Sequence, residues 1–537
     1  MDKVFGREEI LSAIKKRLDG FKKGYRQNIA FIGNPSTGKT SIVKALLSDI
    51  NTAEVIPIFM ELEGRSLKQV IRVFFGQILR NFLTSQRIDT SGDFKYLLEK
   101  SQAFLPKTVA KIKSIVHNLE KEKEYAALIE TFDLPQIFFE ENGIPCLLIL
   151  DEFQELQDLG GEEIFADLSK KIIIQKNTMY LIASSAVIKA REILSHGFSL
   201  LFGNFEVLEV APYNMRTSEE FININLKIPI SDTHKKFLIY FTGGQPFYLG
   251  ILCRELSMRV AQICRDLISE DIFIETFQDL LFEEWGIFNQ KFINLLNEIS
   301  SDKQREDYIG ILSSIISGGN KIKIIAQRLN KKEKVIQQRL SRLYEASIVL
   351  KNGDFLSLGD KIFAFWLDSV YSRKFALDYF NDNVLRINFR NNLLNMVNNF
   401  SLVTAKTTTE RILELFNLFR NEAIQIERKK IILSRFKEIA LLSTGSGNFD
   451  ALISAKAQES SWIIAVKNGA LSENDIAEFM LECKKYKTIV PQRKVIISLD
   501  KVDTNAKLKA LEEKIITWET GELNSLFEFY NQPEIFV

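Results

Sequence analysis

The feature that most constrains this chain is a glycine-rich stretch near its amino end, at residues 33–40. An apolar run over residues 28–32 precedes it, and an amphipathic run over residues 41–47 follows it. This order predicts a strand, a loop and a helix, which is the setting of a phosphate-binding loop. The residues expected to surround the phosphates are Gly33, Asn34, Pro35, Ser36, Thr37, Gly38, Lys39, Thr40 and Ser41.

The residue types in this loop suit phosphate chemistry. Gly33 and Gly38 let successive backbone N–H groups point into one concavity, and the following helix directs its positive end there. Lys39 can reach the β- and γ-phosphates, and the Thr40 hydroxyl can bind Mg²⁺. The alternative is a chance glycine turn before a helix, which the match at every motif position disfavours. The stretch therefore predicts a site for a nucleoside triphosphate.

A second apolar run, at residues 144–150, ends in the carboxylates of Asp151 and Glu152. Such a run is typical of a central parallel strand that is buried on both faces, and ligands bind at the carboxyl ends of such strands. We expect Asp151 to hold Mg²⁺ and Glu152 to polarise the water that attacks the γ-phosphate. An ordinary acidic turn is the alternative.

A further strand, predicted at residues 178–185, ends in two serines. Ser185 either senses the γ-phosphate or caps the helix that follows, and the sequence favours neither. Arg191 is the nearest arginine that could stabilise transition-state charge, although a solvated helix arginine is the favoured interpretation. Residues 217–220 have the pattern of a helix cap.

Composition narrows the remaining classes. A chain of 537 residues is expected to form three or four domains. Its 70 basic and 69 acidic residues almost cancel, so net charge does not indicate a polyanionic partner. The four cysteines and three histidines lack metal-ligand spacing. The absence of a signal pattern and of a long apolar run predicts a cytoplasmic protein without a membrane partner.

Several of these stretches together resemble the archaeal ATPase family of AAA+/STAND-type proteins. The resemblance rests on residues 5–8 (Phe-Gly-Arg-Glu), 33–40, 148–153, 184–185 and 243–246 (Gly-Gly-Gln-Pro). It implies an α/β fold of the P-loop NTPase class, with residues 1–215 as the ATPase core and 216–300 as a helical lid. It also implies that ATP is the nucleotide, that Phe5 and Arg7 border the adenine, and that Pro246 lies in a turn near the nucleotide.

The pattern changes over residues 301–370, where three short helices and an Asn352-Gly353 hairpin are predicted. This order is typical of a winged helix-turn-helix. Basic residues on its turn and third helix favour DNA contact, although such residues are also common on solvated helices. The residues expected at DNA are Lys331, Lys332, Lys334, Arg339 and Arg342.

The carboxyl-terminal part is predicted as a helical connector over residues 371–407 and an α/β domain over 408–537. We expect a long helix over residues 411–439, followed by alternating strands and helices. The order resembles the restriction-endonuclease-like fold, whose metal site the resemblance places at Asp450 and Lys467. Ala465 occupies the position of the family's glutamate, so the domain is expected to be degenerate. Glu438, on the predicted helix, could supply a substitute carboxylate.

These expectations combine into one main hypothesis and two alternatives. The main hypothesis is a Mg²⁺-dependent ATPase whose nucleotide state controls a winged helix and a nuclease-like module on DNA. The first alternative is a STAND-type signalling switch that gates a protein partner without DNA and assembles into a homo-oligomer. The second is a metal-dependent nuclease regulated by ATP.

Overall fold

The computed structural model describes residues 4–198, 203–299, 304–376, 382–426, 429–446, 448–486 and 490–535. They form two compact units. The first comprises Met1–Asn225, Gly244–Ile251 and Tyr344–Ser347, and the second comprises Leu226–Gly243, Leu252–Leu343 and Ile348–Val537. The division into five domains drawn from the sequence stays a prediction.

A five-stranded parallel sheet organises the first unit, with the strand order β2-β3-β4-β1-β5. Its strands are β1 (Asn28–Ile32), β2 (Ile56–Glu61), β3 (Cys146–Asp151), β4 (Thr178–Ser184) and β5 (Phe205–Glu209). The predicted α/β class with a parallel sheet is confirmed. Every residue of β1, β3 and β4 is buried, because helices cover both faces of the sheet.

The helices of this unit follow the strands in the alternation that parallel sheets require. They are α1 (Glu8–Lys22), α2 (Lys39–Asp49), α3 (Leu67–Ser85), α4 (Phe94–Ser101), α5 (Pro106–Glu120), α6 (Glu124–Thr131), α7 (Leu134–Asn142), α8 (Leu156–Gly160), α9 (Glu163–Ile174), α10 (Val187–Glu192) and α11 (Met215–Asn225). A 3-10 turn at Phe153–Glu155 follows β3 directly. Two apolar clusters fill the two sides of the sheet.

The strand order brings three chain segments to one edge of this sheet. β4 lies between β1 and β3, and Ile32 pairs with Ser184 across the β1–β4 ladder. The loop after β1, the end of β3 and the end of β4 therefore meet at the carboxyl edge, where ligands bind in open α/β sheets.

One predicted helix cap in this unit is wrong. Residues 217–220 lie inside α11, which begins at Met215. The cap is Asn214, whose side-chain oxygen accepts a hydrogen bond from the Thr217 N–H at 2.8 Å. Asn caps helices as well as Ser or Thr does, so the true cap lies three residues before the predicted Thr217.

The next part of the chain is helical. Its helices are α12 (Asp232–Thr242), α13 (Pro246–Gln262), α14 (Glu270–Leu281), α15 (Ile287–Ile299), α16 (Arg305–Ile316), α17 (Ile322–Arg328), α18 (Glu333–Glu345), α19 (Lys361–Trp366), α20 (Ser372–Ala376), α21 (Asp382–Thr404) and α22 (Thr408–Leu418). The hairpin predicted at Asn352-Gly353 is present as β6 (Val349–Asn352) and β7 (Phe355–Leu358). Among the described residues, each helix is too short or too polar to span a lipid bilayer.

The long helix predicted over residues 411–439 is wrong. Helix α22 ends at Leu418, and the antiparallel hairpin β8 (Glu422–Ile426) and β9 (Lys429–Leu433) follows it. Asn421 has a φ of 61°, which is incompatible with a continuing helix. Burial along β8 then alternates residue by residue, as in a strand.

The second sheet has the order β10-β11-β12-β13-β14, antiparallel from β10 to β12 and parallel from β12 to β14. Its strands are β10 (Glu438–Ser446), β11 (Phe449–Lys456), β12 (Ser461–Lys467), β13 (Gln492–Ser498) and β14 (Ile515–Trp518), and the helices between and after them are α23 (Glu473–Lys485), α24 (Thr504–Glu512) and α25 (Thr520–Phe529). Glu438 lies on β10, so the helical position expected for its carboxylate is wrong. It pairs with Lys456 at 3.0 Å on the exposed surface.

Candidate nucleotide-binding site

The loop between β1 and α2 has the tight backbone that its glycines predicted. A Cβ atom at Gly33 would lie 2.2 Å from the carbonyl oxygen of Val210, so no other residue fits there. Gly38 has a φ of 92° and Ser36 a φ of 68°, both in the left-handed region. The loop therefore holds a conformation that an ordinary turn before a helix does not need.

Lys39 is buried and folds back over this loop. Its ammonium donates hydrogen bonds to the carbonyl oxygens of Gly33, at 2.8 Å, and Asn34, at 3.0 Å. Burial lowers the pKa of Lys39, while the nearby carboxylates of Glu152 and Asp151 act in the opposite direction. A positive group is thus held beside the loop, and no carboxylate of the described residues lies within hydrogen-bonding distance of it.

Thr40 and Asp151 bring the two predicted motifs into contact. The Thr40 hydroxyl donates a hydrogen bond to Asp151 Oδ2 at 2.9 Å, across 111 positions of sequence. Asp151 is 3% exposed, and burial raises the pKa of its carboxyl group while the Thr40 hydrogen bond lowers it. A hydroxyl and a carboxylate are the hard oxygen donors that Mg²⁺ prefers, so these residues fit that ion.

Glu152 is held by two neighbours. Its Oε2 accepts hydrogen bonds from the Ser185 N–H and hydroxyl, each at 2.8 Å, and from the Gln154 amide at 2.9 Å. Its φ of 52° turns the side chain away from the strand direction. The sequence did not predict a role for Gln154. In the structure it is 5% exposed, and its Oε1 has no hydrogen-bond partner within the described part of the chain.

Arg7 connects the amino-terminal segment to the loop. Its guanidinium donates to the carbonyl oxygens of Thr37, at 2.9 Å, and Ala211, at 2.6 Å, and lies 4.8 Å from the ring centre of Tyr213. Burial lowers the pKa of Arg7. The Tyr213 hydroxyl in turn donates to the Phe5 carbonyl oxygen at 2.9 Å. The proximity of Phe5 and Arg7 to an adenine stays a prediction.

The other residues predicted for the site in this unit make contacts that do not involve Asp151 or Glu152. The Asn34 carbonyl oxygen also accepts from the Thr37 hydroxyl at 2.9 Å, while Pro35 and Ser41 are exposed. Pro246 begins α13, and the turn before it is fixed because the Gly244 carbonyl accepts from the Tyr213 N–H at 2.9 Å. Arg191 forms an exposed ion pair with Glu209 at 3.2 Å.

The residues predicted for a metal site in the carboxyl-terminal part have other partners in the structure. Asp450 accepts a hydrogen bond from the Asn468 N–H at 2.7 Å, and Lys467 forms an ion pair with Asp475 at 2.6 Å. Ala465 is buried. Among the residues that the structure describes, no group of three or more His, Cys, Asp or Glu side chains could hold a metal ion.

The predicted DNA-contacting residues fall into two sets. Lys331 and Arg339 both pair with Asp307, and Arg342 donates to the Glu298 carbonyl oxygen. Lys332 and Lys334 are exposed and form no ion pair with a described residue.

Comparison with known proteins agrees with this geometry. Residues 3–172 match the model of the AAA ATPase domain. Replication factor C subunit 3 of Saccharomyces cerevisiae is 25% identical over 128 residues, which are 24% of this chain and 36% of that relative. The match therefore spans about a third of that relative's length.

Two solved structures are similar to larger parts of the chain. The Walker-type ATPase PABY2304 of Pyrococcus abyssi is 18% identical, with a TM-score of 0.50, over 68% of this chain and 96% of its own. The ORC2 protein of Aeropyrum pernix is 13% identical, with a TM-score of 0.42, over 70% and 96%. The match to the AAA ATPase domain covers residues 3–172, which include the β1–α2 loop and the end of β3.

Proposed function

We propose that this chain hydrolyses ATP with Mg²⁺ at the β1–α2 loop, and that the nucleotide state controls a DNA-contacting module in the rest of the chain. The observation that carries the first part is the hydrogen bond between Thr40 and Asp151 at 2.9 Å. It brings together the two oxygen donors that hold Mg²⁺ beside a phosphate-binding loop.

In this proposal each side chain has a separate task. Lys39 moves its hydrogen bonds from the Gly33 and Asn34 carbonyls to the β- and γ-phosphates. When bound, Mg²⁺ neutralises charge that develops on the phosphate oxygens. Glu152 orients the attacking water, which requires its carboxylate to leave Ser185 and Gln154, at least in part. Arg7 keeps the loop fixed to the segment after β5.

The Glu152→Gln variant tests the catalytic part of the proposal. It is isosteric and removes the charge, so ATP binding should persist while turnover falls about 100-fold or more. Binding is measured by calorimetry and turnover by phosphate release, with the exposed Glu162→Gln as the control. Unchanged hydrolysis in Glu152→Gln would remove Glu152 from the mechanism.

Several features support a DNA-contacting module. Helices α16, α17 and α18, followed by the β6–β7 hairpin, have the element order of a winged helix-turn-helix. Lys332 and Lys334 leave two exposed positive charges at the start of α18. One relative, of which the match spans about a third, is by its name a subunit of a replication factor.

Gel shifts test this part. Duplex binding with ATP should weaken as salt rises, because phosphate contacts release counterions. The Lys332→Ala/Lys334→Ala double variant should bind less tightly than Lys176→Ala, which removes an exposed lysine elsewhere. The absence of any shift, with or without ATP, would contradict DNA contact.

A second candidate is a STAND-type switch that gates a protein partner. It is favoured by the internal pairing of Lys331 and Arg339 with Asp307, since paired cations contribute little to phosphate contact. In that case ATP should change the assembly state of the chain without DNA, which intact-mass measurement detects.

We further propose that the second sheet is a nuclease-like domain that has lost cleavage. Ala465 removes one ligand of the expected metal site, and the Lys467 ammonium is neutralised by its ion pair with Asp475. A cleavage assay with Mg²⁺ or Mn²⁺ tests this, and cleavage abolished by Asp450→Ala would overturn it.

A further inference from the structure

The β6–β7 hairpin is the element that a winged helix would present to a nucleic acid as its wing. Its tip contacts the β8–β9 hairpin of the carboxyl-terminal part of the chain. The Asn352 side chain pairs with the backbone of Gln425 in both directions, since Asn352 Nδ2 donates to the carbonyl oxygen at 2.7 Å and Oδ1 accepts from the N–H at 2.6 Å. The tip is therefore bound as a neighbouring strand would be.

The turn itself fits closely against β8. The Asp354 N–H donates to the Ala423 carbonyl oxygen at 3.2 Å. A Cβ atom at Gly353 would lie only 1.9 Å from that same oxygen, so the contact requires glycine. Asn352, the last residue of β6, and Gly353, the first residue of the turn, thus both contribute to the contact.

Strand β7 of the hairpin also packs against the carboxyl-terminal part of the chain, through Phe355. Phe355 is 4% exposed and belongs to the apolar cluster of the carboxyl-terminal sheet, with its ring centre 5.3 Å from that of Tyr530. The Tyr530 hydroxyl donates to the buried carboxylate of Glu422 at 3.0 Å, and Lys321 lies 3.7 Å from the same carboxylate. Lys321, just before α17, and Glu422, at the start of β8, therefore bring the two parts together a second time.

We infer that the β6–β7 hairpin is a bracket that fixes the carboxyl-terminal sheet to helices α16–α18, and that it does not contact nucleic acid. The hydrogen-bonding groups of Asn352 already bind Gln425, and the Phe355 ring is already buried against the carboxyl-terminal sheet. The statement about nucleic acid rests on the DNA contact of the proposed function, which would then be made by α18.

Two glycines provide a matched test of the bracket. Gly353→Ala places a methyl group against the Ala423 carbonyl, whereas Gly318→Ala adds one at a φ of 82° with nothing within 4 Å. Both variants bear the cost of a left-handed alanine, and only the first opens the contact. Asn352→Ala is a second variant, which removes the two side-chain hydrogen bonds without backbone strain.

The readout is amide hydrogen exchange of Asp354 and Gln425 in the full chain. Gly353→Ala and Asn352→Ala should speed exchange about tenfold at these amides, and Gly318→Ala should leave it unchanged. Exchange in Gly353→Ala and Asn352→Ala that equals the wild type would overturn the bracket.

Duplex affinity tests the second clause. Lys351→Ala, which removes the exposed lysine of β6, should change the Kd less than about twofold, while Lys334→Ala weakens binding about threefold or more. A larger loss for Lys351→Ala than for Lys334→Ala would overturn the inference. If the wild type binds no duplex, the DNA part of the proposed function fails, and the exchange result alone decides the bracket.

Discussion

The carboxylate of Glu152 and the backbone and hydroxyl of Ser185 are joined by two hydrogen bonds of 2.8 Å. The two residues directly follow neighbouring strands, since β3 ends at Asp151, β4 ends at Ser184 and the two strands pair. A carboxylate that accepts several hydrogen bonds is held where it lies, and moving it costs the energy of those bonds. The described arrangement thus restrains the group that we propose to orient water.

The first prediction concerns this restraint. Ser185→Ala removes one of the three donors to Glu152, a loss of about 1 kcal/mol of restraint. We expect basal kcat for Mg·ATP to rise about fivefold, since that energy no longer opposes movement of the carboxylate. Steady-state phosphate release is the measurement.

Ser184→Ala is the control, because the Ser184 hydroxyl accepts from the Ala186 N–H at 3.1 Å and does not contact Glu152. A fall in kcat for Ser185→Ala, with Ser184→Ala unchanged, would instead assign Ser185 to the γ-phosphate. That outcome would contradict the restraining role.

The second prediction concerns Lys39. Lys39→Ala removes the ammonium that faces the loop, so we expect Mg·ATP affinity to fall about 100-fold or more. Calorimetric titration measures it. Lys44→Ala, on the exposed face of the same helix, should bind ATP like the wild type. Equal affinity in Lys39→Ala would contradict the placement of the nucleotide at this loop.

The third prediction concerns Arg7. Arg7→Lys keeps the charge but cannot hold two carbonyl oxygens and a ring face with one planar group. Loss of these contacts should lower the free energy of unfolding of the first unit by about 2 kcal/mol. Unfolding in urea, monitored by hydrogen exchange of the β1 amides, measures this free energy.

Arg72→Lys is the matched control, because Arg72 is exposed on α3. A change below about 0.5 kcal/mol in Arg7→Lys, similar to a surface substitution, would show that the guanidinium does not hold the loop.

The local part of the site could be predicted from the sequence, and the contacts that restrain it could not. Asp151 and Thr40 were predictable because each follows from a short motif beside its own strand or helix. The Gln154 contact with Glu152 depends on a φ of 52° at Glu152, which no neighbouring residue type specifies. The Arg7 contact with Thr37 spans 30 residues and depends on the whole sheet.

The same limit explains the wrong helix. The apolar spacing that correctly predicts α22 continues across Phe419, and only the left-handed Asn421 interrupts it. Ile424 and Ile426 then alternate with half-exposed or exposed residues, a pattern too short to outweigh the preceding helical one. The ladder partner of this segment is β9, and the contact with the β6–β7 hairpin adds hydrogen bonds to its other edge.

The last prediction concerns the Lys467–Asp475 pair, whose side chains are 17% and 2% exposed. Burial raises the pKa of Asp475, but the hydrogen bonds from Lys467 and Ser472 outweigh it and hold the pKa below its ordinary value of 3.8. A lowered pKa stabilises the folded state above the unfolded value, and the stabilisation is lost as pH falls through the folded value. Asp475→Asn should therefore cost about 2 kcal/mol at neutral pH and progressively less below about pH 4.

Amide exchange in β11 and β12 measures this free energy at each pH. Glu438→Gln is the control, because its pair with Lys456 is more than half exposed on both sides. An exposed pair contributes less than about 1 kcal/mol, so Glu438→Gln should change little at any pH. A cost for Asp475→Asn that stays constant from pH 7 to about pH 3 would contradict the ionic origin and leave only the packing of the side chain.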